Sequence, residues 1–201
     1  MALLFAKNNS LSAVTALPAS ISGGGLNLIS TQTASSSSTI DFTSGIDSTY
    51  KEYIFKFINI HPSADGSQFL FNLSADNGSN YNVTKTTTAF RSFHSEDDSA
   101  TGLGYYTGGD LAQSTDFQRF ADSLGNDNDQ SLSGTFTLFN PSSTTFVKHF
   151  IANVNYSYDA DYSLQYFMAG YGNTTSAINA VQFKMSSGNI DSGQILLFGL
   201  S

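Results

Sequence analysis

The chain has 201 residues, with 8 Lys plus Arg against 16 Asp plus Glu, a formal net charge of −8. Charged residues make up 12% of it, about half the usual share of about 25%, while aromatics reach 13%, with 17 Phe, 10 Tyr and no Trp. Such a chain lacks the basic footprint of a nucleic-acid binder. It has no apolar run near the roughly 20 residues that cross a bilayer, and without Cys it has no disulfide, zinc–thiolate site or thiol nucleophile. Glu52 and Glu96 are the only glutamates, and Arg91 and Arg119 the only arginines. Helix surfaces carry Glu, Lys, Arg, Gln and Ala; a surface of Ser, Thr, Asn, Asp and Gly belongs to strands and turns.

The N-terminal stretch differs from the rest. Met1-Ala2-Leu3-Leu4-Phe5-Ala6 is too short for a signal-peptide core, and Lys7 follows the apolar residues instead of preceding them, so no secretory leader is expected. Leu11, Val14, Leu17 and Ile21 recur every three or four residues, interrupted by Pro18 and ending in Gly23-Gly24-Gly25. A frayed tail and a docking arm compete here. Recurring Leu, Ile and Val are unusual in a solvated tail, which favours an arm over 1–33, with Leu3, Leu4, Phe5, Leu11, Val14, Leu17 and Ile21 as its assembly contacts. Ser35-Ser36-Ser37-Ser38 reads as the hinge to a domain spanning 34–201.

Beyond a short strand at 40–43, the dominant period is two. Residues 50–60 set Tyr53, Phe55 and Phe57 against Ile54, Lys56 and Ile58, which predicts a central strand stopped by Pro62. Residues 68–73 follow through Ala64-Asp65-Gly66, and the pair reads as an antiparallel hairpin. Residues 80–90 form a Thr-rich strand with one wet side. From 91 to 130 the alternation lapses, and Phe117, Phe120, Ala121 and Leu124 fall at i, i+3, i+4 and i+7. With Asp110 as cap and Gly125 as stop, they predict one short helix over 111–124. Strands resume at 131–139, 144–157, 163–170, 177–185 and 194–200. About nine antiparallel strands with one helical insertion predict an all-β sandwich of jelly-roll type, carrying an extended N-terminal arm.

Little in the chain points to chemistry. His94 sits among Phe93, Ser95, Glu96, Asp97 and Asp98, neighbours in one loop rather than convergent ligands. Asn126-Asp127-Asn128-Asp129 resembles half a calcium loop but lacks its glycine and bidentate Glu; a solvated turn is the simpler reading. His149 lies on a strand face with Val147 and Ile151. There is no Gly-x-Ser-x-Gly elbow, no Walker loop, and too few glutamates for a glycosidase pair. No catalytic residue, cofactor or metal is assigned. Tyr105, Tyr106, Tyr158 and Tyr162 are candidate recognition residues, since tyrosines in sandwich loops stack on sugars and bond their hydroxyls; filling contacts between subunits is the competing role.

Three blocks carry a resemblance: Phe42-Thr43-Ser44-Gly45-Ile46-Asp47-Ser48-Thr49-Tyr50-Lys51-Glu52-Tyr53, Phe139-Asn140-Pro141-Ser142-Ser143-Thr144-Thr145-Phe146-Val147-Lys148-His149-Phe150, and Phe183-Lys184-Met185-Ser186-Ser187-Gly188-Asn189-Ile190-Asp191-Ser192-Gly193. Together with the leader over 11–38, they resemble a family of marine tailed-bacteriophage (cyanophage-like) virion structural proteins. The resemblance implies a non-enzymatic particle component, capsid decoration or tail fibre, found in the virion and assembled in the host cytoplasm. It brings no catalytic residues. The expected partners are other copies of the chain, as a homotrimer, and other virion proteins; a host-surface glycan is the alternative partner of a fibre tip. Neither nucleic acid nor membrane is expected.

Overall fold

A computed structural model describes residues 25–201, in which twelve β-strands follow one another with no helix. They are β1 (Leu26–Thr33), β2 (Ile40–Phe42), β3 (Glu52–Pro62), β4 (Phe69–Ser74), β5 (Lys85–Ser95) and β6 (Thr101–Tyr105). Then come β7 (Gln118–Arg119), β8 (Leu132–Phe139), β9 (Lys148–Tyr158), β10 (Tyr162–Gly172), β11 (Ala180–Met185) and β12 (Ile190–Leu200). Eight strands form one antiparallel sheet in the order β1-β12-β3-β8-β9-β10-β5-β6; four form a second in the order β2-β11-β4-β7. The sheets face each other across one core, so the described chain is an all-β, sandwich-like domain. None of it is a helix long and apolar enough to cross a membrane.

Phenylalanine builds the core. Tyr53, Phe55 and Phe57 on β3 turn inward, as their period of two demands, and are fully enclosed. Phe57 meets Phe69 of the smaller sheet edge-to-face at 5.2 Å, and Phe55 meets Phe183 at 5.3 Å. Phe71 sits in a ring of three: Phe136 at 4.6 Å, Phe120 at 4.7 Å and Phe150 at 5.4 Å. Offset and edge-on pairs of this kind add about 0.5–1.5 kcal/mol each beyond area burial. β3 is interior as expected, bonded to β12 and β8.

Three expectations are corrected. β3 and β4 do not pair as a hairpin. Residues 63–68 carry the chain from one sheet to the other, because all six residues of β4 are buried and need a facing sheet rather than an edge. The helix expected over 111–124 is absent. Its backbone groups go to strands instead: Ser114 exchanges both bonds with Lys85, Phe120 N–H donates to Phe69 O at 2.7 Å, and Leu124 N–H to Ser67 O at 2.8 Å. Phe120, Ala121 and Leu124 are buried by that strapping, so a period of 3.6 arose without helical geometry. Third, residues 26–33, assigned to the arm, are β1, paired along β12 at the edge of the larger sheet. The remaining arm residues Leu3, Leu4, Phe5, Leu11, Val14, Leu17 and Ile21 lie outside the described residues. β6 also went unforeseen: its Gly102 and Gly104 erase the alternation that marks a strand.

The strand directions give the domain two ends. At the basal end lie Leu26, Leu200, Glu52, Phe139, Lys148, Gly172 and Lys85; at the distal end lie Pro62, Ile190, Leu132, Tyr158, Tyr162 and Ser95. Two lysines are enclosed at the basal end, flanking Gly172 in register. Lys85 Nζ donates to Asn72 Oδ1 at 2.6 Å and Val83 O at 2.8 Å. Lys148 Nζ donates to Phe146 O at 2.7 Å and Thr174 O at 3.2 Å. Burial pulls the Lys85 ammonium down to about 8, and pushes Lys148 below its ordinary range as well.

Candidate functional site

The larger sheet is twice as wide as the smaller, so its β10-β5-β6 flank extends beyond the smaller sheet, which ends at the two-residue β7. On the inward face of that flank, at the distal end, a groove of about 450 Å³ opens between Arg91, Phe93, Tyr158, Tyr162 and Leu164. A second hollow of about 260 Å³ shares Arg91 and Phe93 and runs on past Gly102, Gly104 and Tyr106 toward the sheet edge. Register explains who lines it. Tyr162, Leu164 and Tyr166 project inward from β10, Arg91 pairs with Tyr166, and Phe93 with Leu164. Across β5 the partners of Phe93 and Arg91 are Gly102 and Gly104, which contribute no side chain.

Each glycine does something different. A Cβ on Gly102 would lie 2.6 Å from the Phe93 ring, so the ring rests on bare backbone there. A Cβ on Gly104 would meet nothing within 4 Å. The aromatic rings form a line: Phe93 is edge-on to Tyr162 at 5.8 Å, and Tyr162 edge-on to Tyr158 at 5.8 Å. At the inner end the Arg91 guanidinium stacks 4.0 Å above the Tyr106 ring.

Asp122 ties this end down. Its carboxylate accepts from the Tyr106 hydroxyl, lies 3.2 Å from Arg119 Nη1 and 3.6 Å from Arg91 Nη1, and its N–H donates to Tyr156 Oη at 3.1 Å. Burial and the carboxylate beside it hold the Tyr106 phenol above its ordinary range; burial does the same for Tyr156. Both arginines of the chain therefore sit around one Asp. Arg91 differs from Arg119 in that its guanidinium makes no hydrogen bond to any described protein group, its contact with Asp122 being longer than one.

Of the four candidate recognition tyrosines, Tyr158 and Tyr162 line the groove, and Tyr105 and Tyr106 border the second hollow. Tyr105 does so at the sheet edge only: paired with Phe90, it points to the outward face, where its hydroxyl donates to Asp110 at 2.5 Å. Arg91, Phe93, Leu164 and Asp122 were not singled out from sequence. Rarity was the available signal, since only two arginines exist to be placed. His94 Nε2 lies 3.2 Å from Asp98 on an exposed turn, and His149 faces outward beside Tyr171 with ring centres 6.0 Å apart. Among the described residues no three His, Cys, Asp or Glu side chains converge as a metal site would require.

The outward face of the larger sheet is the other notable surface. Leu26 and Leu28 on β1, Ile58 on β3, Ile151 on β9 and Phe90 on β5 are exposed there, with Leu28 at 57% and Ile151 at 53%. Phe90 stacks on Phe167 at 4.7 Å. The charged side chains on that face among the described strand residues are Glu52 and Lys56 on β3 and Asp191 on β12, the last 3.8 Å from His61 Nδ1 at the distal end. Comparison with protein-family models, with curated proteins and with solved structures finds no match.

Proposed function

We infer that the chain is a non-enzymatic structural component of a phage particle, assembled as a homo-oligomer, a trimer in the simplest case. The residues before β1 act as its anchor on the capsid or tail, and the protein resides in the virion after assembly in the host cytoplasm. The observation that carries this reading is the outward face of the larger sheet. A chain of net charge −8 repels its own copies wherever its acids face one another. The outward face carries few charges, Glu52, Lys56 and, at its distal end, Asp191, and offers mainly Leu, Ile, Phe, Thr and Asn, the composition of an interface between copies. It begins at Leu26 and Leu28, immediately after the arm, so arm and face would engage the same neighbour.

The strand order supports a jelly roll. Strands β1-β12-β3-β8 and β2-β11-β4-β7 follow the two four-stranded halves of that topology, with the hairpins β5–β6 and β9–β10 as insertions widening one half. Subunits of this architecture are common in viral shells. Sedimentation equilibrium of the full chain tests the assembly: one discrete oligomer is expected, reverting to folded monomer in Ile151→Asp and Leu28→Asp. A monomeric wild type at high concentration refutes it. Removing 1–24 should leave a folded domain that no longer joins particles; undiminished incorporation refutes the anchor.

A second reading, a receptor- or glycan-binding fibre tip, is favoured by the convergence of Tyr106, Tyr158 and Tyr162 away from the basal end where the chain leads into β1. Binding of the pure protein to host cells tests it.

A further inference from the structure

We propose that the groove between β5, β6 and β10 is a binding subsite for a neutral oligosaccharide, lying along the line Tyr158, Tyr162, Phe93 and Arg91. This rests on the recognition reading and assigns it a place and a ligand chemistry. The two adjoining hollows share Arg91 and Phe93 as lining, and the second reaches the sheet edge over Gly102 and Gly104. An elongated site open at its end suits a chain of sugar rings better than a compact ligand.

The lining selects for such a ligand. Aromatic rings accept the C–H face of a pyranose, burying apolar surface while the sugar hydroxyls stay at the rim. Among the described residues the Tyr158 and Tyr162 hydroxyls have no protein partner, and the Arg91 guanidinium, with three-quarters of its side chain enclosed, makes no hydrogen bond beyond its longer contact with Asp122. Unused donors beside apolar rings call for a ligand rich in acceptor oxygens. Charge then decides between neutral and anionic sugars. Asp122 stands 3.6 Å from Arg91, and Glu96, Asp97 and Asp161 line the adjoining rim. An incoming sulfate or uronate meets more negative charge than positive, which costs binding; a hydroxyl meets no such opposition.

The open space at Gly104 supplies the test. Gly104→Phe should place a ring in the groove, because nothing lies within 4 Å of a Cβ at that position. The full chain would be titrated with neutral gluco-, manno-, galacto- and xylo-hexasaccharides and with sulfated and uronate-containing counterparts. Because the chain's ten tyrosines all contribute to its emission, isothermal titration calorimetry reads the binding. At least one neutral hexasaccharide should bind, and Gly104→Phe and Tyr162→Ala should each weaken it at least about tenfold, with the thermal midpoint of Gly104→Phe unchanged. Failure of every neutral hexasaccharide to bind overturns the proposal, as does tighter binding of the anionic set. Binding that survives Gly104→Phe overturns the groove alone and leaves the recognition reading standing. Sedimentation of the same samples reads the assembly separately.

Discussion

Lys85 makes the stability of this domain depend on pH in an unusual direction. Its ammonium is enclosed, holds only an amide and a carbonyl oxygen, and titrates at about 8 rather than the ordinary 10.5. Folding thus disfavours the charged form. Below about pH 8 the lysine is protonated in both states and its burial penalty is fully present. Between about 8 and 10.5 the unfolded chain binds the proton and the fold releases it, so stability rises with pH. The whole shift corresponds to about 3 kcal/mol, of which about 1 kcal/mol appears between pH 7 and 9. The buried phenols Tyr156 and Tyr166 act oppositely. Held protonated in the fold, they withdraw stability as pH climbs through the phenol range, which begins above that window. Lys148 shifts in the same direction as Lys85 but is present in both proteins compared, so it cancels. The assay is urea unfolding, followed by far-ultraviolet circular dichroism, of wild type and Lys85→Met at pH 7, 8 and 9. The gap between the two stabilities should move by about 1 kcal/mol in favour of wild type over that range. Parallel curves would refute the reasoning, since they would mean that the enclosed group does not titrate near 8.

Further outcomes follow from the packing. Phe71→Ala removes the ring that Phe120, Phe136 and Phe150 surround, and should cost about 3–5 kcal/mol in chemical denaturation; a loss below about 1 kcal/mol would mean the core collapses freely around it. Tyr106→Phe deletes the hydroxyl bonded to Asp122 and should cost about 1–3 kcal/mol, most of it absent in an Asp122→Asn background, as a double-mutant cycle would report. Gly193, at φ +111° with its would-be Cβ 2.5 Å from Asn59 O, should lose more than about 2 kcal/mol on change to Ala. Gly104→Ala, in open space, should be neutral within about 0.5 kcal/mol; calorimetry of the pair checks both.

Several features of the fold are legible in the residues alone. Residues 53–58 alternate so strongly that β3 had to be a strand with aromatics on one face, and Pro62 had to end it, because side-chain direction and the missing N–H are local properties. The scarcity of Glu and Arg and the excess of Phe likewise pointed to strands around an aromatic core. What failed was whatever depends on where a segment's backbone finds its partners. The 111–124 stretch has helical spacing, yet its N–H and C=O groups are taken by β4 and β5. β3 and β4 look like a hairpin and instead face each other across the core.

The groove shows the same division. Tyrosines in the right number could be named from composition, but their sharing of a face was a matter of register. One residue of slip would send Tyr162 and Phe93 outward. Tyr105 and Tyr106 are adjacent in the chain, and the alternation of the strand sends them to opposite sides of the sheet. Arg91 opened the stretch where the alternation lapses, yet it lies within β5 and is the cation stacked at the head of the groove. By itself, then, the sequence determined the all-β character, the aromatic core and the acidic, weakly charged surface, because these follow from residue type and local period. Only the tertiary structure decided which strands pair, which glycines leave a groove, and which side chains meet in it, because those depend on contacts between residues far apart in the chain.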